Sequence, residues 1–133
     1  MSKLRIHFED VPYSTRTLPY FGGNIYSPGK DANGYYNLIG VWGGTNVTRT
    51  KERFQEGYWY HTGYVEFNVD IDYTAYPYVL FAPHLPQDAN AKKYLAVPMK
   101  YIRAGVDGIY DIQPAISDWE IRKEETNADE TVN

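Results

Sequence analysis

The residues of this chain best placed for chemistry are three acidic side chains in one alternating run. Glu66, Asp70 and Asp72 share one parity within residues 64–73, and residues of one parity lie on one face of a strand. Asp70 and Asp72 would then lie roughly 6.5–7 Å apart at their Cα atoms. Such carboxylates can serve glycoside hydrolysis, or bind Ca²⁺ together with loop carbonyls. We expect their common role instead, which is to keep an exposed strand soluble and to block edge pairing.

Other catalytic and cofactor chemistries have no signature in the sequence. The four serines lie outside any nucleophile-elbow pattern, the chain has no Cys, and its three His are far apart. The glycines of residues 40–44 do not have the G-x-G-x-x-G spacing of a dinucleotide site, and the helix of such a site is not predicted after them. We therefore expect a protein that is not an enzyme and that binds no cofactor and no metal.

The second candidate site is aromatic. The chain has 14 Tyr, 3 Trp and 5 Phe in 133 residues, and consecutive residues of a strand point to opposite faces. The rings of residues 58–60 cannot therefore all be buried together. Exposed rings anchor protein interfaces and stack on sugars, and His61 is the His best placed to contact a ligand. The predicted binding residues are Tyr58, Trp59, Tyr60, His61, Tyr76 and Tyr78.

The charge distribution argues against binding to nucleic acid. The net charge is −4, and residues 117–133, with six acids and two bases, carry all of it. The neutral remainder offers no electrostatic footprint for phosphates. No segment approaches the ~20 apolar residues of a membrane span, and the N-terminus lacks the apolar core of an export signal. We expect a protein of the cytoplasm of the producing cell, or of a virion, that binds neither nucleic acid nor membrane.

The elements that must position these residues are predicted to be strands. Apolar alternation predicts a half-buried strand at residues 3–8 and a long strand at 64–73, which could begin at Tyr58 with Gly63 as a bulge or bend. A buried strand is predicted at 35–42. Loops with at most a short strand are predicted at 9–34, and 49–56 is the only candidate for a helical turn. Further strands are predicted at 78–82, 94–103, 109–112 and 116–122.

Strands of this number and spacing predict an all-β fold. Residues 1–122 are expected to form one antiparallel β-sandwich or jelly roll of seven or eight strands, with a small β-barrel as the second choice. Pro98, inside the strand predicted at 94–103, indicates a sheet edge or a bulge. Residues 123–133 are predicted to form an acidic, polar tail.

One short motif resembles a known family. Ser117, Asp118, Trp119, Glu120 and Ile121 resemble the closing motif of the phage Thoeris anti-defence proteins. The resemblance covers these five residues, and the start of that family has no counterpart in this chain.

These observations favour a non-enzymatic structural or interaction protein. We expect a phage or viral virion component (a capsid decoration, head or tail protein) that forms a homo-oligomer or larger assembly through Tyr-rich contacts. Two alternatives stay open: a carbohydrate-binding module, with Asp70 and Asp72 accepting from sugar hydroxyls, and a phage inhibitor of a host defence protein. A sugar site would need two or three coplanar rings, whereas an assembly face would spread its rings around the perimeter.

Overall fold

The computed structural model of the protein describes residues 2–17, 20–43, 46–71, 74–85, 93–115 and 120–123. Within these residues the chain forms ten strands and no helix, so the predicted all-β class is confirmed and the predicted number of strands is too low. The strands are β1 (Ser2–Tyr13), β2 (Gly22–Lys30), β3 (Tyr36–Gly43), β4 (Asn46–Gln55), β5 (Tyr58–Val69), β6 (Tyr78–His84), β7 (Lys93–Ala96), β8 (Lys100–Arg103), β9 (Gly108–Ile112) and β10 (Glu120–Lys123).

The strands form two open sheets. The four-stranded sheet has the order β4-β5-β1-β9, and the six-stranded sheet has the order β10-β7-β6-β2-β3, with β8 paired to β6. Because neither sheet closes on itself within the described residues, the small β-barrel is wrong. The pairing is mostly antiparallel, but β1 and β9 run parallel. A parallel pair needs a long connection between its strands, and most of the chain separates these two.

One hydrophobic core is shared by both sheets. The ring of Phe67 in β5 meets that of Phe81 in β6, with centroids 4.9 Å apart and ring planes at 60°. Phe8 of β1 contacts Phe21, which directly precedes β2, at 5.0 Å. The other buried members are Leu4, Ile6, Val11, Ile25, Val65, Val69, Val79, Leu85 and Ile102.

The alternation of β5 confirms the predicted faces of its central part. Val65, Phe67 and Val69 are buried in the core, whereas Asn68 of the opposite parity is exposed. The strand begins at Tyr58, the earliest predicted start, and ends at Val69, short of the predicted end. The outer face of the four-stranded sheet therefore carries the even-numbered residues of β5.

Two segments predicted to be irregular are strands. Residues 49–56 belong mainly to β4, because β5 supplies an antiparallel partner along its length, and the predicted helical turn is wrong. Within 9–34, β1 extends to Tyr13 and β2 spans nine residues. Pro28 is tolerated because the pairing of β2 with β3 jumps from Tyr26 to Lys30 and leaves the proline in the gap.

Two strand predictions also need correction. The strand predicted at 35–42 is β3, but it lies at the edge of the six-stranded sheet and is not buried. The strand predicted at 94–103 is two strands, β7 and β8, because Pro98 interrupts the ladder between them. Both strands pair along the same side of β6.

Several predictions fall on residues outside the described part. Asp72, residues 116–119 and residues 124–133 are not described, so the predicted strand at 116–122 is represented by β10 alone. Lys123, predicted as the first tail residue, is the last residue of β10.

Candidate functional site

The predicted aromatic residues of β5 divide between the two faces of the four-stranded sheet. Tyr58 and Tyr60 have the parity of the outer face, whereas Trp59 and His61 have the parity of the core. All of these side chains are half-buried except that of His61, which is fully buried.

The other two predicted aromatics lie elsewhere. Tyr76 is half-buried against the shared core, and Tyr78 opens β6 in the six-stranded sheet with an exposed side chain. The structure therefore does not gather the six predicted binding residues into one surface.

Arginine side chains cover two tyrosines on the outer face of the four-stranded sheet, Tyr60 and Tyr64. The Cζ of Arg53 lies 4.2 Å from the ring centroid of Tyr60, and the Cζ of Arg5 lies 4.5 Å from that of Tyr64. Cation–π contacts of this kind stabilise partly exposed rings. One ring face of each tyrosine is thereby occupied within the chain.

The predicted acidic face is also engaged within the chain. Glu66 pairs with its cross-strand partner Arg5, whose Nη2 lies 2.6 Å from Glu66 Oε2, and this hydrogen bond raises the pKa of Arg5. Asp70 is exposed just beyond the end of β5. Among the described residues, no group of three or more His, Asp and Glu side chains is placed to hold a metal ion.

A further cross-strand pair completes this outer face. His7 Nε2 lies 2.6 Å from Asp111 Oδ1 of β9, and the His7 ring lies 5.6 Å from that of Tyr64. Across β9, β1 and β5 this face therefore carries charged and aromatic groups that contact one another, beside the exposed Ile109 of β9.

His61 lies in a buried polar cluster beneath residues 14–17. Its Nε2 is 3.2 Å from the carbonyl oxygen of Thr15. A carbonyl only accepts, so Nε2 carries the hydrogen and donates it, and the buried Nδ1 has no hydrogen-bond partner among the described residues. A fully buried ring cannot reach a substrate in this conformation. It instead ties the segment after β1 to β5.

Glu52 is the cross-strand partner of His61 and completes the cluster. Its Oε2 accepts from Arg16, with Nε at 2.8 Å and Nη2 at 2.6 Å. Its buried Oε1 lies 3.1 Å from Arg49 Nη1, near enough for an ion pair but not aligned for a hydrogen bond. The Arg16 hydrogen bond lowers the pKa of Glu52, against the opposing effect of desolvation.

Trp59 marks the outer end of this cluster. The Cζ of Arg16 lies 5.4 Å from the Trp59 ring centroid, and the Phe54 ring lies 4.9 Å away at 54°. The Phe54 side chain is 58% exposed. The rings at this end of the sheet are thus inclined to each other and form no flat platform.

Sequence reasoning missed a surface on the outer side of the six-stranded sheet. Its exposed members are Leu38 (56%), Val41 (66%), Tyr78 (45%) and Tyr101 (66%). We call these four residues, together with the buried Tyr26, Leu80 and Ala82 between them, the six-stranded face.

The register of the strands places these residues side by side. Tyr26 is opposite both Leu38 and Leu80, and Leu80 is in turn opposite Tyr101. The extra residue Ile39 shifts the register of β3, so that Leu38 and Val41 lie on one face although three residues apart.

A second hydrophobic cluster forms the base of the six-stranded face. It consists of Tyr26, Leu80 and Ala82, with Tyr36 and Met99 packed against them. The sequence did hold a signal for this surface: β6 is apolar at both parities, as expected for a strand that is covered on both faces.

Comparison with known proteins gives no relative: the chain matches no protein-family model, no curated protein and no solved structure. Among the described residues there is no helix that is long and apolar enough to cross a membrane. The function has to be argued from the surfaces of the chain itself.

Proposed function

We propose that the protein is a non-enzymatic structural component that assembles with copies of itself through the six-stranded face. The observation that carries this proposal is the contrast between the outer faces of the two sheets. The four-stranded sheet carries internal ion pairs and two cation–π contacts on its outer face. The six-stranded sheet has one such contact among the described residues, Lys30 on Tyr36, and presents exposed apolar side chains over a second hydrophobic cluster.

The composition of the six-stranded face fits a protein interface. Contiguous exposed apolar patches on soluble proteins mark interaction sites, and tyrosine is enriched among the residues that anchor them. Tyr78 and Tyr101 supply two such rings, in edge-on contact at 6.4 Å and 88°. Leu38 and Val41 extend the same surface to the edge of the sheet.

Ring geometry favours assembly over carbohydrate binding. The two ring pairs with strongly exposed members are inclined, at 54° for Phe54 and Trp59 and at 88° for Tyr78 and Tyr101. A sugar platform needs coplanar rings. The shared core further supports the proposal that the two sheets stack face to face as a β-sandwich, with two outer faces free for neighbours.

A phage or viral particle is the setting we propose for this assembly. In a particle built from many copies, an apolar face is covered permanently by repetition of one contact. The alternative of a host defence inhibitor rests on the short resemblance at residues 117–121.

Sedimentation velocity of matched variants tests the proposal. Tyr101→Lys places a charge in the six-stranded face and should shift the protein toward the monomer. Asn68→Lys makes the same charge change on the exposed outer side of β5 and should leave the distribution unchanged. If Tyr101→Lys and Asn68→Lys both assemble as well as the wild-type protein, the proposed face is contradicted.

A further inference from the structure

One edge of the six-stranded sheet is formed by β3. The backbone N–H of Asn37 donates to Ser27 Oγ of β2 at 3.3 Å, so the Asn37 peptide group points toward the sheet interior. Peptide groups of successive strand residues point to opposite sides. The N–H and carbonyl of Leu38 therefore face away from β2, where the sheet order of the described residues places no further strand.

This edge differs from the other sheet edges in its residues. Natural proteins keep edge strands from pairing by placing charges or proline on them. The sequence of β3 contains neither a charged residue nor proline. Among the described residues, every other strand that ends a sheet is charged, with Arg49, Lys51, Glu52 and Arg53 in β4, Asp111 in β9, and Glu120, Arg122 and Lys123 in β10.

From this difference we infer that β3 pairs with β3 of a second copy, antiparallel and about a two-fold axis. Pairing with any other end strand of a second copy would place at least one charge on that strand beside the apolar edge. Pairing of β3 with itself introduces none, and an isologous contact is self-complementary by symmetry. The inference rests on the proposed function, since it specifies how copies meet in the assembly.

The joined edges would extend the six-stranded face across the axis. Leu38 and Val41 lie on that face at the edge, so each copy brings two exposed apolar side chains to the junction. Backbone hydrogen bonds would supply the register of the contact, while these side chains would supply buried apolar area.

Two substitutions at one position separate edge pairing from side-chain contact. Leu38→Pro removes the N–H at the free edge, where proline is tolerated in a sheet. Leu38→Ala keeps that N–H and shortens the side chain. We expect Leu38→Pro to raise the dimer dissociation constant roughly ten-fold or more, because the backbone N–H of residue 38 is lost in both copies. Leu38→Ala should raise it less. Equal dimerisation of Leu38→Pro and wild type would overturn the inference.

Amide hydrogen exchange of the wild-type protein gives a readout that no folding defect can imitate. The Leu38 amide should exchange slowly at concentrations where the protein is dimeric and quickly on dilution to the monomer. Amides of β5, which is paired on both sides, should stay protected throughout, and those of β4 should not respond to concentration. A Leu38 amide that exchanges quickly in the dimer would refute edge pairing.

The same variants distinguish failure of the inference from failure of the proposed function. If Tyr101→Lys loses assembly and Leu38→Pro assembles fully, the six-stranded face is supported as the interface and the edge contact is refuted. The reverse result would support the edge contact and refute the proposal that copies assemble through the six-stranded face. A wild-type protein that is monomeric at every concentration would refute both the edge contact and the proposed assembly.

Discussion

At the residue scale, Gly63 shows how closely the backbones of the four-stranded sheet approach one another. A Cβ built on Gly63 would lie 1.9 Å from the carbonyl oxygen of Thr48. The predicted bulge is found opposite the glycine, in both neighbours: β1 shifts register between Phe8 and Val11, and β4 shifts between Arg49 and Lys51. Position 63 therefore requires glycine, because any side chain there would collide with the backbone of β4.

Gly63→Ala should destabilise the fold, because Thr48 contributes a backbone atom that no rotamer change can move. We expect a loss of about 2 kcal/mol or more in the free energy of unfolding, measured by urea denaturation. Gly29→Ala is the control, since a Cβ there meets none of the described residues within 4 Å, and it should stay within about 0.5 kcal/mol of wild type. Equal effects at the two glycines would contradict the clash.

Glu52 supplies a pH-dependent contribution to stability. The hydrogen bond from Arg16 lowers its pKa below the ordinary value of 4.5, so the folded state binds the proton less readily than the unfolded state. The stabilisation is therefore fully present above pH 4.5 and is lost as the pH falls through the lower, folded-state pKa.

The melting temperature of Glu52→Gln relative to wild type checks this sign. The deficit of the variant should be constant from neutral pH down to the ordinary carboxyl range and should shrink in more acidic solution. Glu9→Gln, which makes the same charge change at an exposed position of β1, should show a smaller deficit throughout. A Glu52→Gln deficit that stays constant into strong acid would contradict the account.

At the element scale, local alternation predicted the strands that bury one face. The parity of β5 is visible in the sequence because Val65, Phe67 and Val69 all meet the core. The sequence of β4 gave no such pattern, because its inward side carries Arg49 and Glu52 of the polar cluster. An edge strand whose inward-facing side chains are polar shows no alternation of apolar and polar residues from which it could be predicted.

The candidate site could be predicted only in part for a related reason. Composition pointed to exposed aromatics, and the side chain of the predicted Tyr78 is exposed, but composition could not locate Leu38, Val41 or Tyr101. An apolar run predicts burial, and whether β3 is central or at an edge depends on the order of distant strands. That order is a non-local property, so the apolar run at 35–42 by itself predicts a buried strand.

The contact between the sheets gives a test at this scale. Phe67→Ala removes the ring that meets Phe81 across the core and should cost about 3–5 kcal/mol in the free energy of unfolding. Phe54→Ala truncates the same side chain at an exposed position and should cost much less. Chemical denaturation of both variants measures the difference, and similar losses would contradict a core shared by the two sheets.

At the scale of the whole molecule, the outer faces of the two sheets differ in how far their side chains are satisfied within the chain. On the outer face of the four-stranded sheet, charged side chains pair within the chain, as Arg5 does with Glu66 and His7 with Asp111. The six-stranded face leaves apolar side chains in water and ends at an edge without charge. An isolated monomer would carry this surface as an aggregation hazard, and the proposed assembly would cover it.

The mass of the wild-type protein by light scattering over a dilution series tests this account most directly. Assembly through the six-stranded face predicts a defined multiple of the 15.4 kDa chain at high concentration, which dissociates toward 15.4 kDa on dilution. A mass of 15.4 kDa at every concentration would contradict self-assembly.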